Sequence, residues 1–284
     1  MELRQAWMHE YLVDEGEEPL PFVKSAGTDE APTAVADRIR ETLGFTVEWA
    51  ASCATWTYAL GLLREAIEGT GVLVVVSGIV GNNTHRKLDV EEFRGFVLVD
   101  DYAPLVFVNG ADSKGAQMFT LTHELAHVFF GSSAAFDLRE MQSADNPTEQ
   151  ACNRVAAEFL VPERTLREIW PAVANEPKPF DSLARRFKVS GIVVARRALD
   201  LSLISKSGFL DYYRDRQSHE LRAAPGGGDF YSNQKLKLGT TFTSALVSAV
   251  KEGKLLHSEA YRLTGLHGKT FEGYVASLGI GGGD

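Results

Sequence analysis

The stretch TLTHELAHVFFG, residues 120–131, sets His123 and His127 four positions apart with Glu124 directly after the first. On an α-helix, positions i and i+4 lie one turn apart on the same face, so both imidazoles can reach a single ion. Zn²⁺ takes such nitrogen ligands at about 2.0–2.1 Å. Glu124 is rotated off that face. In an HExxH helix a glutamate there takes the proton of an attacking water and does not bind the metal. The alternative is a pair of histidines on a partly buried helix with ordinary hydrogen-bond partners. In a chain holding 7 His and 23 Glu, shuffling gives the pattern in roughly one sequence in a hundred, so context must decide.

A catalytic zinc needs a third protein ligand and an open position. The HExxHxxGxxH extension is absent, because Phe130 and Ser133 stand where it needs Gly and His. The third ligand must come from further along, and Glu149 follows His127 by 22 residues with Asn153 one turn beyond it. Glutamate-ligand zincins use this layout: the first residue binds metal and the polar one supports a ligand histidine. Ala151, Ala156, Ala157, Phe159 and Leu160 are the small and apolar residues expected on a helix packed closely behind the metal helix. The alternative for Glu149 is a first-turn glutamate favoured by the helix dipole. Asp137, Glu140 and Asp145 are lesser ligand candidates.

The whole pattern resembles the ImmA/IrrE group of zinc metallopeptidases. That group's hallmark is HExxH followed by a helix reading E-x-x-x-N-x-x-A-x-x-x-L-x-P, here Glu149, Asn153, Ala156, Leu160 and Pro162. GFVLVDDYAPLVFVNG feeding KGAQMFTLTHELAHVFFG is similar to the same group, and the likeness runs over about residues 70–205. It implies zinc held by His123, His127 and Glu149, with Glu124 as base. It also implies a protein substrate of the helix-turn-helix repressor type. Longer relatives carry an N-terminal DNA-binding domain and are similar to components of toxin–antitoxin pairs. No such domain is read ahead of residues 4–18.

These residues need elements to hold them. LRQAWMHEYLV, APTAVADRIRETLG and TWTYALGLLREAIEGTG read as helices, stopped at Gly44 and at Gly69 or Gly71. The period then changes: VLVVVSG (72–78), FRGFVLVD (93–100) and PLVFVNG (104–110) read as strands, the last two joined by a hairpin-like Asp100–Ala103 link. The metal helix would be capped by Asp112 or Ser113 and stopped at Gly131, and the ligand helix would end at Pro162. A peptide substrate could lie extended along one of the strands at 93–109. Tyr102 and His85 are candidates, by residue type alone, to assist zinc at the oxyanion.

Further along, DSLARRFKVSGIVVARRALD has helix-turn-helix spacing, with Ser190 as cap and Lys188 where the turn often has Gly. Arg185, Arg186, Arg196 and Arg197 could meet phosphates or a partner. The alternative is a helix pair that packs on the peptidase core. After the Gly-rich APGGGD (224–229), the tail reads as a small helical subdomain, with Ser258 as a helix cap and His257 and His267 on its surface.

At 284 residues with 44% hydrophobic and 24% charged residues, the composition is that of an ordinary globular protein. No apolar h-region opens the chain and no apolar run is long enough to span a bilayer, which predicts a cytoplasmic protein. Cys53 and Cys152 are too few for a disulfide framework, and Cys152 reads as a small packing residue. Net charge is −9, but residues 1–150 hold 10 Lys and Arg against 24 Asp and Glu, while residues 151–284 hold 19 against 14. Whole-molecule attraction to nucleic acid is therefore not expected, although a basic C-terminal face could touch it.

The expectation is an α+β protein in four segments. These are a helical region at 1–70, a zincin-like core at 71–170, a helix-turn-helix-like segment at 171–205 and a C-terminal helical subdomain at 206–284. Its expected activity is zinc endopeptidase, acting on a cytoplasmic regulatory protein. From another class comes an antitoxin or transcriptional regulator that holds a toxin or DNA without proteolysis, with zinc structural or absent. Glu124 favours the enzyme, since a purely structural site has no use for a base.

Overall fold

Runs of β-branched residues settle into strands where both faces meet apolar partners. The computed structural model describes residues 1–132, 134–136, 146–219 and 230–279. In it β1 (Leu73–Ser77), β2 (Gly95–Leu98) and β3 (Leu105–Asn109) form where the sequence places them. A short β4 (Ala134–Phe136) joins them, unheralded by any alternation. The sheet order is β1-β3-β2-β4, with β1 and β3 parallel and the other pairs antiparallel. Asp100 Oδ1 accepts hydrogen bonds from the backbone N–H groups of Tyr102 (2.9 Å) and Ala103 (2.8 Å), which closes the expected hairpin as an Asx-turn. One expectation is corrected by this order. Both strands between 93 and 109 are already paired on each side, so neither edge is open to a peptide.

The alternating strand residues divide between two cores. Val74, Val76, Val97, Val106 and Val108 face α2 (Pro32–Leu43), α3 (Trp56–Gly69), α4 (Lys114–Phe130) and α5 (Pro147–Leu160). Leu73, Val75, Leu105 and Phe107 face α1 (Glu2–Asp14) and α11 to α13 (Thr240–Lys251, His257–Thr264, Gly268–Ser277). Packing thus groups the chain around one sheet. The helices α2 and α3 belong to the core of the metal helix, whereas α1 joins the C-terminal helices and sets Trp7 edge-on to Phe242 at 5.6 Å. Between them come α6 (Glu163–Val173), α7 (Pro179–Phe187), α8 (Gly191–Asp200), α9 (Lys206–His219) and α10 (Phe230–Leu238). The sequence reading had not placed α6 or α9. In the tail, the cap of α12 is Leu256, and Ser258 lies inside the first turn.

The helix-turn-helix spacing is real as local geometry. Lys188 takes the left-handed conformation (φ 55°), and Ser190 caps α8 by accepting from the Val193 N–H at 3.2 Å. In that motif the start of the second helix reaches the bases. Here it is covered: a Cβ on Gly115 of α4 would lie 2.7 Å from Ser190 N, and one on Gly191 would lie 2.1 Å from the Tyr212 hydroxyl of α9. Arg197, expected to meet phosphate, is instead buried in an ion pair with Glu158 and donates to the Val161 carbonyl at 3.2 Å. Arg196 and Arg186 are exposed but ion-paired, to Asp200 and Glu48, while exposed Arg185 bonds only Ser182 Oγ. The basic segment behaves as a packing module because its most central arginine neutralises a buried carboxylate of the ligand helix. Arg197→Ala strands that carboxylate, and a loss of about 3–5 kcal/mol is expected in urea unfolding. Arg196→Ala, on an exposed i,i+4 pair, should cost no more than about 0.5 kcal/mol.

Candidate metal centre

Helix α4 is buried nearly all round, so its polar residues are carried inside. Ser113 caps its start by accepting from the Ala116 N–H, and Gly131 ends it in the left-handed conformation (φ 73°). Between these stops His123, Glu124 and His127 each have zero exposure. The start of α5 is fixed by Asn146, whose side chain accepts from the N–H groups of Thr148 (3.0 Å) and Glu149 (3.4 Å), with Pro147 preset for the first helical position. Glu149 therefore sits in the first turn. Cys152 and Ala156, one and two turns on, are fully buried, and their small side chains leave little between α5 and its neighbours.

The outcome is a tight triangle. His123 Nε2 lies 3.0 Å from Glu149 Oε2, His127 Nε2 lies 3.1 Å from Glu149 Oε1, and the two Nε2 atoms are 3.2 Å apart. Four ligands at zinc distances around a tetrahedral ion stand roughly 3.3 Å from one another. The spacing fits an ion with little adjustment. Two imidazole nitrogens and a carboxylate buried this close together are the donor set that a divalent cation takes once the imidazoles are neutral. Both alternatives for Glu149 hold together, since it is a first-turn glutamate and its carboxylate also turns onto both histidines.

The electrostatics follow from burial. Burial alone raises the Glu149 pKa, but hydrogen bonding to His123 and His127 outweighs it and brings the value down to about 2. Burial pushes His123 below the ordinary imidazole value, against the opposing pull of its bond to Glu149. Asn153, one turn beyond Glu149, interacts with the His123 side chain in the sense that favours its charged form. Glu124 is different. Among the described residues neither of its carboxylate oxygens has a hydrogen-bond partner, and burial, reinforced by the charge of Glu149, holds its pKa well above the usual carboxylate range.

Gly95 is the residue the sequence reading passed over. A Cβ there would lie 2.6 Å from Thr120 Cγ2, 2.8 Å from the Phe107 carbonyl and 3.0 Å from Glu124 Oε1. Only glycine lets β2 approach the helix so closely. A glycine inside an otherwise apolar strand was the available signal. Asp137, Glu140 and Asp145 lie outside the described residues. Tyr102 packs edge-on to His9 of α1 and His85 is exposed; among the described contacts neither is joined to the triangle.

Two histidines one turn apart on a buried helix, completed by a glutamate from the following helix, define a zincin-type metal site in a mixed α+β fold. Residues 68–199 match the family model Peptidase_M78, the IrrE N-terminal-like domain. That match covers a little less than half of the chain, from β1 to α8, and supports the resemblance to ImmA/IrrE metallopeptidases. Residues 238–277 match a second model, a domain of unknown function (DUF8813), which covers α11 to α13. No curated protein was found to match the chain. No described helix is long and apolar enough to cross a membrane.

Family and donor set together point to a divalent metal. Loading with Zn²⁺ should give about one ion per chain by mass spectrometry. It should also raise stability by about 2.7 kcal/mol at a free concentration one hundred times the dissociation constant, and Glu149→Gln should remove most of that gain. Gly95→Ala should cost about 1–3 kcal/mol from overpacking, measured by thermal melting with Val97→Ala as a control that leaves Glu124 untouched.

Proposed function

We propose that the protein is a zinc-dependent endopeptidase in which His123, His127 and Glu149 hold the ion and Glu124 is the general base. The observation that carries this reading is the Glu124 carboxylate: fully buried, without a partner, and one residue from the first ligand. A site that served only to staple the fold would gain nothing from that arrangement and would bear its desolvation cost. A divalent ion at the triangle supplies Lewis-acid polarisation of a scissile carbonyl and lowers the pKa of water. Glu124, with its raised pKa, is suited to take a proton from the attacking water and return it to the leaving amine. Gly95 keeps the space in which the base works, and Asn153 steadies the His123 ring.

The substrate we propose is a cytoplasmic regulatory protein of the helix-turn-helix repressor type. An extended segment of it would pair with β4, the outermost strand on the Gly95 side among the described residues. Arg197, buried against Glu158, and Gly191, buried at the start of α8, speak against DNA as the direct partner.

Glu124→Gln should lower cleavage of a neighbouring-gene repressor by about 10²–10⁴-fold while leaving metal content unchanged. Tight binding of a neighbouring-gene protein without cleavage, indifferent to Glu124→Gln, would instead identify a holding partner such as an antitoxin. The same variant has a stability signature. Because the folded pKa of Glu124 is raised, its contribution is fully present below the unfolded value near 4.5 and is lost as pH climbs toward the folded value. Metal-free wild type should therefore lose stability relative to Glu124→Gln as pH rises from 4.5 to neutrality, in urea titrations with chelator.

A further inference from the structure

The face of the sheet turned away from the metal closes over a cavity of about 580 Å³, within the usual range for a small-molecule site. Its floor is aromatic and aliphatic: Phe93, Phe96 and Phe107, with Val75 and Leu88 beside them. Phe96 and Phe107 stack on one another at 5.0 Å with an interplanar angle of 4°, a paired aromatic wall. Partial exposure of Phe93, Phe96 and Leu88 leaves this surface incompletely covered.

The rim is cationic. Arg4, Lys237 and Arg262 line the cavity, and no Asp or Glu does so, in a chain whose net charge is −9. Among the described residues none of the three is in an ion pair. Arg4 donates to backbone carbonyls at the ends of α12 and α10, those of Leu263 (2.7 Å), Lys237 (2.9 Å) and Thr264 (3.5 Å), and its guanidinium lies over the Phe242 ring at 5.9 Å. Lys237 likewise bonds only the Gly81 carbonyl and Asn82 Oδ1, each at 3.2 Å. Asn82 in turn donates to the Gly265 carbonyl at 3.1 Å, which ties the loop after β1 to the end of α12 across the mouth. Three cations gathered beside apolar rings, with no carboxylate among the described lining residues, favour an anion with an apolar body.

We propose that this cavity is a binding site for a small aromatic anion, whose ring packs against Phe93 and Phe96 and whose carboxylate, sulfonate or phosphate meets Arg4, Lys237 and Arg262. The metal centre does not include it. It lies on the opposite face of the same strand: Phe96 forms the floor, and its neighbour Gly95 abuts Glu124.

The test uses the metal-loaded full chain and the fluorescent probe 1-anilinonaphthalene-8-sulfonate. Saturable binding at about one probe per chain is expected. The double variant Lys237→Glu with Arg262→Glu should weaken it about tenfold or more, as attraction turns to repulsion. Circular dichroism and zinc content of that variant should match wild type. N-phenyl-1-naphthylamine, which lacks the sulfonate, should bind about tenfold more weakly than the sulfonated probe, and millimolar inorganic phosphate alone should not displace the latter. Equal binding of the neutral probe, or no effect of the charge reversals in a folded variant, would overturn the proposal. So would full displacement by phosphate, which would reduce the site to a simple anion patch. Should the reversals unfold the chain, Phe93→Ser, at the partly exposed edge of the floor, must weaken the probe by a similar factor for the proposal to stand.

Discussion

Everything in the metal-binding core answers to the approach of α5 to α4. Four donor atoms from two helices, the Nε2 atoms of His123 and His127 and both carboxylate oxygens of Glu149, stand in a run of 3.0–3.2 Å contacts, an arrangement that the desolvation of a buried carboxylate opposes. It persists because the helices are fixed independently of it. Ser113 and Gly131 set the length of α4, and Asn146 and Pro147 set the start of α5. Arg40 anchors the far end of α5 from α2 by donating to the carbonyls of Glu158 (2.7 Å) and Phe159 (3.1 Å). Arg197 neutralises Glu158 from α8. The metal triangle is assembled by contacts that do not include the metal, which is the sense in which such a site is preorganised.

This distribution explains what the sequence revealed and what it concealed. His123, Glu124 and His127 were legible because their relationship is set by helical period alone, and Glu149 because one helix turn relates it to Asn153. The strands at 72–110 and the caps at Ser113 and Ser190 were legible for the same local reason. Long-range relations were not. A central-looking run such as FRGFVLVD does not say which strand will cover it, and three residues of β4, with little pattern of their own, took the edge that a substrate had been expected to use. Arg197 looks like its neighbour Arg196 in sequence. A 100° rotation about α8 places one against Glu158 inside the protein and the other in solvent beside Asp200.

Charge patterning left the fate of the basic residues open. The excess after residue 150 allowed a face that could touch nucleic acid and equally a helix pair packed on the core, and its members meet three different fates. Some are consumed internally, as Arg197 is. Some are paired locally on the surface, as Arg186 and Arg196 are. Lys237 and Arg262 gather with Arg4 from the other end of the chain at one cavity, a convergence that no window along the sequence displays.

The sheet gives these separate facts a common frame. Because β1 and β3 are buried on both faces, neither face can change without pressing on the other; packed interiors transmit small displacements and do not absorb them. β2 is where that constraint is tightest, since Gly95 has no side chain to yield and lies against the Phe107 carbonyl as well as Glu124. Phe96, stacked on Phe107, holds the same segment from behind. The position of the buried base is thus set jointly by helix α4 and by a strand whose reverse side is lined with aromatic rings. A buried carboxylate without a hydrogen-bond partner has no polar contact of its own to hold it in place, so its location must be enforced sterically, and the glycine and the rings behind it are the parts of the fold that do so.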